Sequence, residues 1–149
     1  MISFFVPIDP PRATHHSKVI VNTGKHSRLV DSAGLTESRA IQRILFKRFA
    51  PKTPMTGPLA LTLEYTFPYL AKHSQKVRDN GTIYKTTSPD ADNLSKVTTD
   101  ILTELGFIAN DALVCDLRVC KYHGKVPGIS VMILEAEPLH GKDRESHEN

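Results

Sequence analysis

Apolar and polar positions alternate most cleanly between residues 59 and 67. Leu59, Leu61, Leu63, Tyr65 and Phe67 fall on one side there, and Thr62, Glu64 and Thr66 on the other. A period of two is that of a strand with one buried face. From Asp92 the period lengthens. Leu94, Val97, Ile101 and Leu105 share one helical stripe, Asp92, Lys96 and Asp100 lie opposite, and Gly106 stands where a left-handed cap would end the helix. A second helix is expected over residues 36–50, where Ile41, Ile44, Leu45 and Phe49 recur at helical spacing with Arg39, Arg43, Lys47 and Arg48 around the rest of the wheel. Its outer face should be basic.

Shorter apolar runs complete the pattern. Residues 2–8 read as a strand stopped by Asp9-Pro10-Pro11, because proline cannot continue a ladder. Residues 113–122 and 128–135 read as two more strands, joined through residues 124–127 as a hairpin. Residues 12–34 lack helical periodicity and are expected to form a long mobile loop. Residues 68–88 are expected to form a basic hairpin or disordered arm with a tight turn at Asn80-Gly81. The order strand, helix, strand, helix, strand, strand predicts an α+β fold. It would be a single domain over residues 1–137, a mixed β-sheet with two main helices packed on it and two long basic loops, followed by a disordered polar tail over residues 138–149.

Composition narrows the class. The 149 residues suit one domain, and 40% hydrophobic with 23% charged residues is ordinary for a globular protein. No apolar run approaches the roughly 20 residues of a membrane span, so a cytoplasmic protein is expected. Cys115 and Cys120 are five apart in one predicted strand, which points them to opposite faces and prevents a bridge; apolar packing is expected for both. The net charge is only +3 but unevenly spread: residues 1–88 hold thirteen Lys and Arg against five acids, and residues 89–149 hold six against eleven. Basic walls around an acidic centre suit a polyanion that must approach a cation; a solvated surface of mixed sign gives the same count.

The acidic centre is compact in sequence. Ser88-Pro89-Asp90-Ala91-Asp92-Asn93-Leu94-Ser95-Lys96 places two carboxylates and an ammonium at a helix start, and Asn110-Asp111 adds a third carboxylate before a strand. Inside a helix, residues i and i+2 point about 200° apart, so Asp90 and Asp92 converge only if Asp90 lies at the cap or in extended chain. Ser88-Pro89 favours that. Lys96 follows Asp92 by one turn. Three carboxylates and a lysine suit Mg²⁺ and a phosphate, the parts of a metal-dependent nuclease. Each residue also has an ordinary use: Asp90 and Asp92 as cap and dipole partners, Lys96 as the i,i+4 partner of Asp92 or Asp100, and Asp111 in a turn.

From residues 89–96, through Asp100-Ile101-Leu102-Thr103 and Gly106-Phe107, to residues 110–119, order and spacing resemble the RusA-type Holliday junction resolvases, as does Pro10-Pro11 after the first strand. The resemblance implies a homodimeric Mg²⁺-dependent endonuclease, with Mn²⁺ as a substitute ion. Asp90, Asp92 and Asp111 would be its acidic metal site and Lys96 its catalytic lysine. Two departures stand out. Asn110 occupies a place where the family often has an aspartate, and the run before Asp90 lacks the arginines that some members carry there. DNA contacts are therefore expected from Arg12, Lys18, Lys72, Lys76, Arg78 and Lys85. The expected partners are branched DNA and a second copy of the chain, since two symmetrical cuts need two acidic sites; no membrane, nucleotide or organic cofactor is expected. A catalytically silent junction binder and a nuclease for flaps are the competing readings.

Overall fold

The structure, a computed structural model, describes residues 1–12 and 18–138. Along β1 (Ile2–Val6), Phe4 and Val6 turn into the core. A hairpin follows, β2 (Lys18–Thr23) antiparallel to β3 (His26–Asp31), and then α1 (Ala33–Lys47). The central strand β4 (Leu59–Pro68) buries Leu59, Leu61, Leu63, Tyr65 and Phe67, as the alternation predicts. The short helix α2 (Gln75–Asp79) and the two-residue strand β5 (Ile83–Tyr84) lead to α3 (Ala91–Glu104). The last two described strands are β6 (Val114–Gly124) and β7 (Gly128–Glu135).

Five strands form one mixed sheet in the order β1-β7-β4-β6-β5. β4 runs parallel to β6 and antiparallel to β7. A parallel pair needs a crossover, and α3 provides it. Leu94, Val97, Ile101 and Leu102 of α3 are buried with Leu61, Leu63 and Tyr65 of the sheet. Phe4 anchors a ring cluster, edge-on to Phe46 at 5.1 Å and 5.3 Å from Phe107. The fold is the expected single α+β domain with a mixed sheet. Among the described residues, no helix is long and apolar enough to cross a membrane.

Several local expectations are corrected. The loop expected over residues 12–34 holds the β2/β3 hairpin and the start of α1. Val19-Ile20-Val21 and Leu29-Val30 supply strand-forming residues, and Gly24, at φ 63°, takes the turn conformation that other side chains resist. α1 begins at Ala33 because Ser32 caps it, its hydroxyl accepting from Leu35 N at 3.2 Å. Its buried face is Leu35, Gln42 and Phe46, whereas Ile44 is 70% exposed and Ile41 and Phe49 are exposed too. Ile41 and Ile44 are thus rotated away from the core, whereas Phe49, beyond the end of α1, stacks on Phe4 at 4.8 Å.

The segment 68–88 is neither a hairpin nor a disordered arm. Ser74 caps α2, Gly81 turns at φ 91°, and β5 pairs with Tyr122 and His123 of β6. β6 and β7 do not form a hairpin, because β4 lies between them. The cysteines are free as expected, but Cys115 is exposed rather than packed. It is the extra residue of a β-bulge, since Leu59 pairs with Val114 and Ala60 with Asp116. The expected tail lies, beyond Pro138, outside the described residues.

Candidate active site

Asp90 is the N-cap of α3 in extended conformation, φ −71° and ψ 146°, so it stands outside the helix as its spacing from Asp92 requires. Its carbonyl accepts from Leu94 N at 3.1 Å, yet its carboxylate makes no capping hydrogen bond. An N-cap aspartate ordinarily spends a carboxylate oxygen on the N2 or N3 amide. Here the residue is exposed and its carboxylate is not used in that way. Asp92, exposed in the first turn, also complements the positive end of the helix.

The chain before Asp90 is held by Lys121. Its Nζ donates to the carbonyl oxygens of Thr87, at 2.9 Å, and Pro89, at 2.8 Å. Pro89 is buried and the Ser88-Pro89 peptide is cis. Lys121 reaches this segment because the parallel register sets it beside Tyr65, on the face that α3 covers. Nothing in the local sequence around Lys121 signals this role; only the pairing of β6 with β4 reveals it.

Asp111 arrives on a separately anchored segment. After Gly106, at φ 77°, Phe107 O accepts from Met55 N at 2.9 Å and Ala109 N donates to Met55 O at 3.0 Å, with Phe107 and Ile108 buried. Asp111 opens a 3-10 turn, Asp111–Leu113, capped by Asn110. The Asn110 side-chain oxygen accepts from Ala112 N at 2.8 Å, so the amide at this position shapes the turn that presents Asp111.

Lys96 joins the two segments. Its Nζ lies 2.9 Å from Asp100 Oδ1 and 3.5 Å from Asp111 Oδ2. The hydrogen bond and charge of Asp100, reinforced by Asp111, hold its ammonium above the ordinary lysine value. Lys96 therefore stays protonated. Of its two candidate i,i+4 partners, Asp100 is the one it meets. Among the described residues, no three His, Cys, Asp or Glu side chains converge as a ready metal cage. Mg²⁺ does not demand one: it takes one or two carboxylates and completes its shell with water and phosphate oxygens. The exposed, all-oxygen set of Asp90, Asp92 and Asp111 fits that preference.

The expected DNA-contacting residues divide. Arg12 and Lys85 line one cavity beside Ser88 and Pro89, and Lys72 is near enough to act on the Lys85 ammonium. Lys76 is exposed on α2, and Lys18 opens β2. Arg78 is committed internally: Nε donates to His73 O at 3.0 Å, Nη2 to Leu70 O at 3.1 Å, and the guanidinium lies 5.3 Å from the Tyr69 ring. His73 and His123, which sequence reasoning passed over, stand edge to face 4.9 Å apart near that cavity. Partial desolvation, then the charges of His123, Lys72 and Arg78, push the His73 imidazole below its ordinary value.

A family profile described as "Endodeoxyribonuclease RusA" matches residues 9–134, most of the chain. The chain belongs to the RusA endodeoxyribonuclease family. Every residue of the acidic site falls inside the matched span, as do β4, α3 and β6, which position it. Among relatives, "Uncharacterized protein YqaN" of Bacillus subtilis (strain 168) is 33% identical over 90 residues, 57% of this chain and 63% of that protein. The chain thus spans less than two thirds of the curated relative it matches.

Proposed function

We propose that this RusA-family chain is a Mg²⁺-dependent endodeoxyribonuclease that resolves four-way DNA junctions by paired symmetrical nicks, acting as a homodimer in the cytoplasm. The observation that carries the reading is the uncommitted Asp90 carboxylate at the start of α3, in a chain whose family is one of DNA-cutting enzymes. A carboxylate that caps nothing at a cap position is free for a ligand. Asp90, Asp92 and Asp111 would hold Mg²⁺, or Mn²⁺ in its place. When bound, the ion supplies a Lewis acid for a phosphate oxygen and lowers the pKa of a water for in-line attack.

The chain's own groups do the rest. Lys96, kept protonated by Asp100 and Asp111, offers positive charge to the phosphate as negative charge builds on it. Lys121 fixes the segment from which Asp90 projects. Arg12, Lys72 and Lys85 form a basic flank that attracts the backbone, with Lys18 and Lys76 as further contacts. Exposed Val19, Ile20 and Leu29 on the β2/β3 hairpin, and Ile44 on α1, offer apolar surface for pairing two copies.

Incubating the protein with a labelled synthetic junction and Mg²⁺ tests the reading. Symmetrical nicks are expected, lost in EDTA and reduced at least a hundredfold in Asp90→Asn, while the variant melts within about 0.5 kcal/mol of wild type because no cap bond is removed. Full activity in Asp90→Asn would sink the assignment. Binding without cleavage under any divalent ion would mark a silent junction binder, and faster cutting of flaps would mark a different branched substrate.

A further inference from the structure

Ser88 and Pro89, which lead directly into Asp90, form part of the wall of a cavity of about 230 Å³ lined also by Arg12, Phe67, Lys85 and His123. Among the described residues, no carboxylate lines it. Lys85 Nζ donates to Thr87 Oγ1 at 2.8 Å and lies 4.9 Å from the Phe67 ring centre, and it has no carboxylate partner among the described residues. Desolvation, and then the charges of Lys121, Arg12 and Lys72, lower its pKa. His123 is only 5% exposed, and its Nδ1 donates to Pro68 O at 2.9 Å, a carbonyl that can only accept. In that tautomer Nε2 is an acceptor, so the imidazole shapes the wall of the hollow and does not donate to an anion. Ser88 adds an exposed hydroxyl at the rim.

Cations gathered in a partly desolvated hollow repel one another and lose hydration, a cost that an anion seated among them reverses. The hollow also has a fixed relation to the acidic site. Ser88 on its wall and Asp90 are two residues apart, at most about 7 Å of extended chain, which is within the separation of neighbouring phosphates on one strand.

The geometry points to a second phosphate site: Arg12, Lys85 and Ser88 grip the phosphodiester that neighbours the one cut at Asp90, Asp92 and Asp111. The identity of that strand rests on the nuclease reading; the cationic pocket does not. Gripping one flank fixes the register of the strand, so that a single phosphate is presented to the carboxylates. Phosphate contacts of this kind position the nucleic acid without reading its sequence.

The experiment measures binding of a fluorescent four-way junction in Ca²⁺, so that affinity is read without cutting. Neutral methylphosphonates replace the phosphates around the crossover one at a time. One replacement is expected to weaken wild type about tenfold and Lys85→Gln less than twofold, with Lys85→Arg restoring the wild-type response. The slope of log affinity against log salt should fall by about 1 in Lys85→Gln. Arg12→Gln, an exposed position, serves as a second variant less exposed to folding defects and should show the same loss of response. Equal losses in wild type and both variants at every position would overturn the pocket. Failure to cut in Mg²⁺, measured separately, would overturn the nuclease reading and leave this result standing.

Discussion

The ammonium of Lys121 donates to two carbonyls on either side of Ser88, with Pro89 buried behind them. A cation there does not touch the acidic residues directly. It fixes the origin of Asp90, and Asp90 fixes one corner of the site. Lys121→Met keeps most of the aliphatic stem and removes both hydrogen bonds, so it should lower kcat about tenfold while junction affinity in Ca²⁺ changes less than threefold. Lys121→Arg should recover much of kcat. Equal losses in kcat and affinity would instead make Lys121 a DNA contact. Asp90, Asp92, Lys96 and Asp111 stand out in the sequence as candidates because they cluster along the chain at telling spacings. Lys121 and His123 do not. Their inward direction follows from register with Tyr65 and Phe67, strand partners more than fifty residues away.

Elements whose signal is local were readable for the same reason. The alternation of β4 and the stripe of α3 each state their own burial, and both emerge as read. The β2/β3 hairpin was hidden by its charges although its β-branched run was present, and the β6–β7 pairing was misread because sequence proximity gave no hint that β4 would insert. The face of α1 was misread because Gln42, a polar residue, is fully buried. That glutamine completes a network: Tyr65 Oη donates to Thr98 Oγ1 at 2.6 Å, and Thr98 Oγ1 donates to Gln42 Oε1 at 3.1 Å. One chain of hydrogen bonds thus ties β4, α3 and α1 together beneath the site. Thr98→Val retains the shape but leaves the Gln42 oxygen buried without that donor, and should cost about 2 kcal/mol in urea unfolding. A change below about 0.5 kcal/mol would mean that packing alone sets how the helices sit.

At the scale of the whole molecule, the described residues of one chain hold one candidate acidic site, and a four-way junction, the proposed substrate, calls for two cuts of like polarity. Two coupled cuts therefore require two chains on one substrate. Mixing separates this from sequential cutting by monomers. Wild type and Asp90→Asn, combined in equal amounts under conditions where subunits exchange, give about a quarter wild-type dimers and about half mixed dimers if pairing is random. A supercoiled plasmid with an extruded cruciform becomes linear when both cuts occur within one binding event. A single cut releases the supercoiling, which reabsorbs the cruciform and removes the substrate. A mixed dimer can make only that single cut. Excess Asp90→Asn should therefore shift product from linear plasmid to nicked circles, with linear product falling as the square of the wild-type fraction. A monomeric nuclease would yield mostly nicked circles at every ratio, with total cleavage falling only in proportion to wild type. The square law also separates true pairing from simple competition for DNA, because competition lowers both products together and leaves their ratio unchanged.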